Sequence, residues 1–372
     1  MKVLFAGGGT GGHLYPAIAL ADALRARGAR IDFIGTADRL EAQIVPQAGY
    51  RLHAIASLPL TRKLSAQTLQ TILSNGLGVA QAAAVIRGFR PDIAIATGGY
   101  VCFPTMLAAR GLRFARVESV ALTLLEPNAQ PGLTNRLLAP IVDEVWGAFD
   151  APHAFERRYI RTGVPVRASL LRRPNRIEAA RRLGLDPSRH TMLVMGGSLG
   201  ARTINEAVAA LVTRRALPAK WQILHLSGRR DYAFMQAEER TPFGENRVVL
   251  LPYLDDLGDA YAVADLAICR AGASTIAELA AVALPAIVIP YPHAAEEHQS
   301  ANARAFVAGG GALLLEDSRV DADTLWWMLS PLFEGDRLAA MRATLRGQSV
   351  GDPVSTILAR IDALLDRRTN VT

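Results

Sequence analysis

The run Gly7-Gly8-Gly9-Thr10-Gly11-Gly12 leads directly into His13. Where a glycine-rich turn opens a helix, its backbone N–H groups point outward at the positive end of the helix dipole, and that arrangement holds phosphate. A histidine at the same helix start can accept a proton or hydrogen-bond a sugar. The run also satisfies G-x-G-x-x-G, and Asp32 lies 20 residues past Gly12, the spacing of a dinucleotide-binding fingerprint. By itself the match is weak, because structural turns share the pattern and a lone histidine is more often structural.

Two further turns offer related chemistry. Gly196-Gly197-Ser198-Leu199-Gly200-Ala201 is one, and Arg270-Ala271-Gly272 ahead of Ala273, Ser274 and Thr275 is the other. The amides of those last three residues would form an anion site, and Glu278, one turn along, is spaced to accept hydrogen bonds from ribose hydroxyls. A capped helix carrying a surface glutamate is the plain structural alternative. Asp321-Ala322-Asp323 is the only D-x-D in the chain and could evoke a metal site. It stands directly before Thr324-Leu325-Trp326-Trp327, so a helix cap is predicted instead. The two cysteines, Cys102 and Cys269, make no disulfide framework or zinc motif, which points to a reducing compartment.

Each turn needs a strand before it and a helix after it, and the chain supplies both. Strands are predicted over residues 3–6, 31–34 and 93–96, with helices over 14–24, 39–45, within 66–89, and after Pro104. Residues 150–174, with Pro152, Pro165 and Pro174, break this alternation and read as a domain connection. The pattern then restarts with strands at 191–195, 221–226, 248–251, 266–269 and 286–289, a helix at 202–212, and an amphipathic helix at 354–365. Strand–helix alternation in two similar halves predicts an α/β protein with two doubly wound domains and a cleft at the carboxyl ends of their sheets. A length of 372 residues suits two domains, and 50% hydrophobic residues with 20% charged exclude a disordered chain. The opening apolar run is too short for a signal-peptide core. The longest apolar stretch, 276–291, contains Glu278 and is cut by Pro285 and Pro290, so no membrane span is predicted and a soluble protein is expected.

The blocks GGGTGGHLYPAIALADAL, IGTADRLEA, ATGGY, EPNAQPGLTNRLLA, TGVPVR, GGSLGARTIN and CRAGASTIAELAAVALPAIVIPYPHAAEEHQSANA follow one another over nearly the whole chain. Together they resemble the MurG family, which transfers N-acetylglucosamine from its UDP donor to the muramyl-pentapeptide lipid intermediate, converting lipid I to lipid II. The resemblance implies a GT-B glycosyltransferase fold of two Rossmann-like domains, 1–160 for the acceptor and membrane and 161–351 for the donor, with a helix near 352–368 returning to the first. It implies inverting transfer without metal or cofactor, in the cytoplasm, peripheral on the cytoplasmic face of the cell membrane. UDP-N-acetylglucosamine, undecaprenyl-linked lipid I and an anionic membrane surface are the implied partners, and nucleic acid is not. For the donor, the resemblance implies Thr10, Gly11, Gly12, Asn128, Arg167, Ser198, Leu254, Ala273, Ser274, Thr275, Glu278, His298 and Gln299. For the acceptor and reaction centre it implies His13, Tyr100, Glu126 and Asn128, with His13 the first candidate for the base and Glu126 the second.

The charge fits such a partner. The net +7 contains only three lysines, Lys2, Lys63 and Lys220, and residues 61–116 carry +6 through Arg62, Lys63, Arg87, Arg90, Arg110, Arg113 and Arg116 against Asp92. Leu69, Ile72, Leu73 and Leu77 follow helical spacing beside Arg62, Lys63 and Arg87. That is either a face for an anionic leaflet or a buried core helix with arginines outside it. Interleaved aromatics and recognition motifs for nucleic acid are missing. The sequence departs from the family at Leu125-Glu126-Pro127-Asn128, where His-Glu-Gln-Asn is usual, in a longer stretch over 111–125, and at Ala271, where serine is common. Three alternatives therefore stay open: a relative acting on another lipid or sugar acceptor, a nicotinamide-dependent oxidoreductase using Gly7 to Gly12 with Asp32, and a non-catalytic sugar-nucleotide sensor.

Overall fold

The computed structural model describes residues 1–59, 66–150, 155, 158–172, 174–238, 247–348 and 351–369. Arg62, Lys63 and Pro152 lie outside the described residues. The chain divides into two compact units, Met1–Arg167 with Val350–Thr372, and Ala168–Ser349.

The first unit contains strands β1 (Lys2–Ala6), β2 (Arg30–Gly35), β3 (Arg51–Ala54), β4 (Ile93–Ala96), β5 (Ala121–Glu126), β6 (Glu144–Gly147) and β7 (Tyr159–Arg161). Its helices are α1 (Gly11–Ala26), α2 (Leu40–Gln47), α3 (Ala66–Phe89), α4 (Cys102–Phe114) and α5 (Leu133–Leu138). The strands pair in parallel in the order β3-β2-β1-β4-β5-β6-β7. Side chains alternate across a strand, so each strand feeds two cores. Val3 and Phe5 of β1 join Leu14, Phe33, Ile95 and Trp146 on one face, while Leu4 and Ala6 join Ile86, Met106 and Leu122 on the other.

The second unit contains α6 (Ala168–Leu171), α7 (Arg176–Arg182), β8 (His190–Met195), α8 (Arg202–Arg214), β9 (Trp221–Leu226), α9 (Tyr232–Glu238), β10 (Val248–Leu251) and α10 (Gly258–Val263). It continues with β11 (Ala264–Cys269), α11 (Ala273–Val282), β12 (Ala286–Val288), α12 (His298–Ala308), β13 (Ala312–Leu314), α13 (Ala322–Leu329) and α14 (Arg337–Gly347). These strands too are parallel, in the order β10-β9-β8-β11-β12-β13. The last helix, α15 (Pro353–Thr369), belongs to the first unit, where Ile357, Ile361 and Leu364 sit in the core beside α1.

The strand–helix pattern read from the sequence is therefore present in both halves, while β3, β5, β6, β7 and β13 are additional to the predicted strands. Each is short or lies behind a longer loop, so its hydrophobic period is hard to separate from the neighbouring helix. Helix α3 occupies the stretch 66–89 in which a helix is predicted. Leu69–Phe89 has a mean hydropathy of 1.3 and is long and apolar enough to cross a membrane by length and composition, although its polar residues interrupt any single apolar run. One side of it is fixed to the unit: Asn75 Oδ1 accepts from Ser57 Oγ at 3.0 Å and from Leu58 N at 3.2 Å, and Ala82 and Ile86 are buried. A Cβ at Gly78 would collide with the Ala56 carbonyl, so the helix can approach this closely only with glycine there. The other side exposes Leu69, Ile72, Leu73 and Leu77, each more than half accessible, so the buried-core alternative for this stripe does not hold.

Candidate active site

In parallel α/β sheets the loops at the carboxyl ends of the strands form the binding edge. On the first unit the neighbouring strands β1, β4 and β5 end in the loops carrying Gly7 to Gly12, Thr97 to Tyr100, and Glu126 to Gly132. Thr10, with extended backbone, is the N-cap of α1 and makes no side-chain cap, so Gly11, Gly12 and His13 form the first turn of the helix. The imidazole of His13 lies against the next loop: a Cβ on Gly98, whose φ is +110°, would collide with His13 Nδ1. A Cβ on Gly99 would come within 2.5 Å of the Gly8 carbonyl, and Tyr100 stands beside Gly9. The two loops thus interlock only because glycines line the contact.

Beneath the first turn lies Glu41, a fully buried carboxylate that the site assignment from sequence missed. Its Oε2 accepts from Gly9 N at 2.9 Å, and its Oε1 accepts from Thr36 N at 3.0 Å and Thr36 Oγ1 at 2.7 Å. The signal for it was present in IGTADRLEA, which contains both residues. An N–H that a phosphate-binding turn would present is therefore committed to an acid. Asp32 fits a nucleotide no better. It pairs with Leu4 in the middle of β2, short of the strand's carboxyl end, and its Oδ2 is 2.6 Å from His53 Nε2. Both observations count against the nicotinamide alternative.

Glu126 ends β5 with 2% exposure. Its Oε1 accepts from Asn128 N at 2.9 Å and Asn128 Nδ2 at 3.1 Å, and its Oε2 accepts from Asn135 Nδ2 at 2.8 Å and Gly132 N at 3.4 Å. Burial pushes this carboxyl up to about 7, against the pull of those four donors. The departure at Leu125 has a simple outcome: its side chain faces the opposite side of β5 and is buried with Phe5, Ile95, Trp146 and Ile361. It is a core position and leaves the Glu126 loop intact. Arg167 ends the first unit, its guanidinium 5.4 Å from the Tyr15 ring of α1.

On the second unit the candidates also occupy the carboxyl edge. Ser198 is exposed in the turn between β8 and α8, and Leu254 follows β10. Helix α11 starts at Ala273 behind Gly272, which offers no side-chain cap, and the first-turn amides of Ala273, Ser274 and Thr275 point off that end. Glu278 is 8% exposed and its Oε2 accepts from Tyr261 OH at 2.8 Å, so the surface-glutamate alternative does not hold. His298 opens α12 behind Glu296 and Glu297, two non-glycine residues with φ of 50° and 55°. Such left-handed backbone is costly for residues with a Cβ and is typical of functional loops. Gln299 Oε1 accepts from Tyr291 N at 3.0 Å.

Arg270 was also missed from sequence, though it stands at the head of the third turn. Its Nη1 donates to Asp317 Oδ1 at 2.5 Å and to the carbonyls of Ile289 and Pro290, and its Nη2 donates to Thr203 Oγ1 at 3.0 Å. One guanidinium therefore ties α8, the α11 turn and the loop ahead of His298 together. Asp321 caps α13 as predicted, its Oδ1 accepting from Thr324 N at 2.7 Å.

Two parallel α/β units with glycine-turn edges define a GT-B glycosyltransferase fold. The glycosyltransferase family 28 N-terminal domain matches residues 3–146 and the family 28 C-terminal domain matches residues 191–352. The UDP-N-acetylglucosamine:N-acetylmuramyl-(pentapeptide) pyrophosphoryl-undecaprenol N-acetylglucosamine transferase of Halothermothrix orenii is 40% identical over 92% of this chain and 93% of its own length. The enzyme of the same name from Chlorobium luteolum is 40% identical over 97% and 98%. The chain belongs to this MurG family of glycosyltransferases. The crystal structure of MurG from Acinetobacter baumannii superposes with a TM-score of 0.78 at 26% identity, covering 97% of this chain and 99% of the other. The calicheamicin glycosyltransferase CalG4, at 17% identity and a TM-score of 0.65, shares the fold.

Proposed function

We propose that the chain transfers N-acetylglucosamine from UDP-N-acetylglucosamine to the muramyl sugar of lipid I, forming lipid II, with inversion and without a metal ion. The near-full-length match to enzymes bearing that name carries the reading. The donor is held by the second unit. The α11 amides take the phosphate nearest the uridine, Glu278 takes the ribose hydroxyls, the backbone near Leu254 reads the uracil edge, and His298 and Gln299 hold the sugar. Ser198 and its turn amides face the leaving diphosphate.

The first unit supplies the reaction centre. The acceptor hydroxyl oxygen forms a bond to the anomeric carbon as the bond from that carbon to the diphosphate oxygen breaks, UDP leaving with the electron pair. The hydroxyl proton goes to His13. Helix-start amides stabilise the negative charge where it grows, so no cation is needed for it. Glu126, with both oxygens engaged by amide donors, shapes the Asn128 loop for the acceptor, beside Tyr100. The enzyme works at the cytoplasmic face of the cell membrane, with the exposed apolar side of α3 as its contact.

The test is the purified chain with UDP-N-acetylglucosamine and a lipid I analogue in the presence of chelator. Release of UDP that requires the analogue is expected. No release with an authentic acceptor, or transfer only to other glycolipids, overturns the reading.

A further inference from the structure

A basin of about 430 Å³ opens on the first unit between the end of α4, residues 140–143 and the end of α15. Arg110, Arg113, Arg158, Arg367 and Arg368 line it, and Asp143 is the one acid in its wall. One oxygen of that acid is already engaged. Asp143 Oδ2 accepts from Arg113 Nη1 at 2.7 Å and Leu122 N at 2.9 Å, and lies 3.6 Å from Arg368 Nη1. The adjacent Glu144 accepts from Arg360, from Arg367 at 2.9 Å and from Trp146 Nε1 at 3.0 Å. Among the described residues Arg110 pairs with no carboxylate, and Arg158 donates to the Val142 carbonyl. Burial and the nearby Arg113 hold the Arg368 guanidinium below its usual range, against Asp143.

Five guanidinium groups therefore share one concave space whose wall holds one acid among the described residues, Asp143, with its Oδ2 already engaged, while Glu144 beside it is taken up by Arg360 and Arg367. Like charges so gathered repel one another, and a ligand that relieves them must bring several negatively charged oxygens. Arginine forks match tetrahedral phosphate oxygens in pairs. We infer that this basin, away from the strand ends that carry the reaction centre, binds a phosphate group, with Arg110 and Arg158, which pair with no carboxylate among the described residues, as its main contacts. Leu107 and Phe114, 37% and 83% exposed, stand three residues before and four after Arg110, on the same face of α4. A phosphate borne on a lipid would find apolar surface there, whereas a soluble phosphate ester would use the basin alone.

The full chain, with UDP saturating so that a nucleotide site cannot respond to phosphate, is titrated with sodium phosphate against sodium chloride of equal ionic strength. Its Tm is compared with those of R110E and the R110A/R158A pair. Should UDP fail to bind, the difference between wild type and variants still isolates the basin. Phosphate at ten times its Kd is expected to raise the wild-type Tm by about 3 °C and to leave both variants unmoved. R110E keeps the test readable if losing the Arg158 bond to Val142 weakens the fold. Co-sedimentation with phosphatidylcholine vesicles, with or without phosphatidylglycerol, then separates the sources. A drop of about tenfold in binding to the anionic vesicles by the variants assigns the basin to a lipid headgroup. Unchanged vesicle binding with lost phosphate protection assigns it to a soluble phosphate ester. An equal phosphate response in wild type and variants overturns the inference. So does a wild type that ignores phosphate, whatever its vesicle binding, because the arginines then act only as diffuse surface charge.

Discussion

His13 holds its place because Gly98 has no side chain. If it takes the acceptor proton, His13→Ala should lower kcat by about 10²- to 10⁴-fold while UDP affinity, measured by calorimetry, changes less than twofold. A parallel loss of UDP binding would assign it to the donor instead. Glu126 differs because its carboxyl is pushed up to about 7 in the folded chain from an ordinary 4.5. Between those values the folded state binds the extra proton, so the Glu126 contribution is complete below pH 4.5, is lost as pH rises through 7, and amounts to on the order of 3 kcal/mol. Glu126→Gln should flatten that loss, seen as a smaller fall in Tm between pH 5 and pH 8 than in wild type, while retaining more activity than His13→Ala. Both residues are visible in the sequence, His13 after its glycines and Glu126 through a family block. Glu41 and Arg270 went unassigned because their importance lies in bonds to Gly9, Thr36, Thr203 and Asp317, and spacing along the chain does not report such partners.

Helix α3 is the element whose sequence left two readings open. An apolar stripe at helical spacing looks the same whether it meets a core or faces outward, and the choice turned on Asn75, Gly78 and Ile86, which hold the opposite side. With Leu69, Ile72, Leu73 and Leu77 exposed, the L73E/L77E pair should leave the Tm within about 1 °C. It should reduce co-sedimentation with anionic vesicles by about tenfold or more. Unchanged vesicle binding would remove α3 from the membrane contact. The strand β5 makes a related point. Leu125 in a site motif suggested an altered acceptor edge, but alternation along the strand sends it into the core and Glu126 to the other side. One residue of register separates a packing position from a candidate site position.

Across the whole molecule, the last segment of the chain completes the first unit. Ile361 of α15 is fully buried with Phe5, Leu14 and Trp146, more than 200 residues away in sequence for each. Ile361→Ala should destabilise the chain by about 2–4 kcal/mol in denaturant unfolding, although the residue touches no candidate for catalysis. No measurable change would mean that α15 adds little to that core. The net charge has a similarly long-range resolution: Arg113 is bound to Asp143, so the count over residues 61–116 overstates the free charge, while Arg110 stands in the basin beside residues from the far end of the chain. The two α/β halves, the glycine turns and the family are legible along the chain, because hydrophobic period, turn residues and local motifs are properties of sequence neighbours. That Asp32 lies mid-strand, that Leu125 is core, that α3 shows its apolar side and that five arginines meet emerges on folding alone. Burial and charge balance depend on residues brought close by folding, and their separation in sequence carries no trace of that approach.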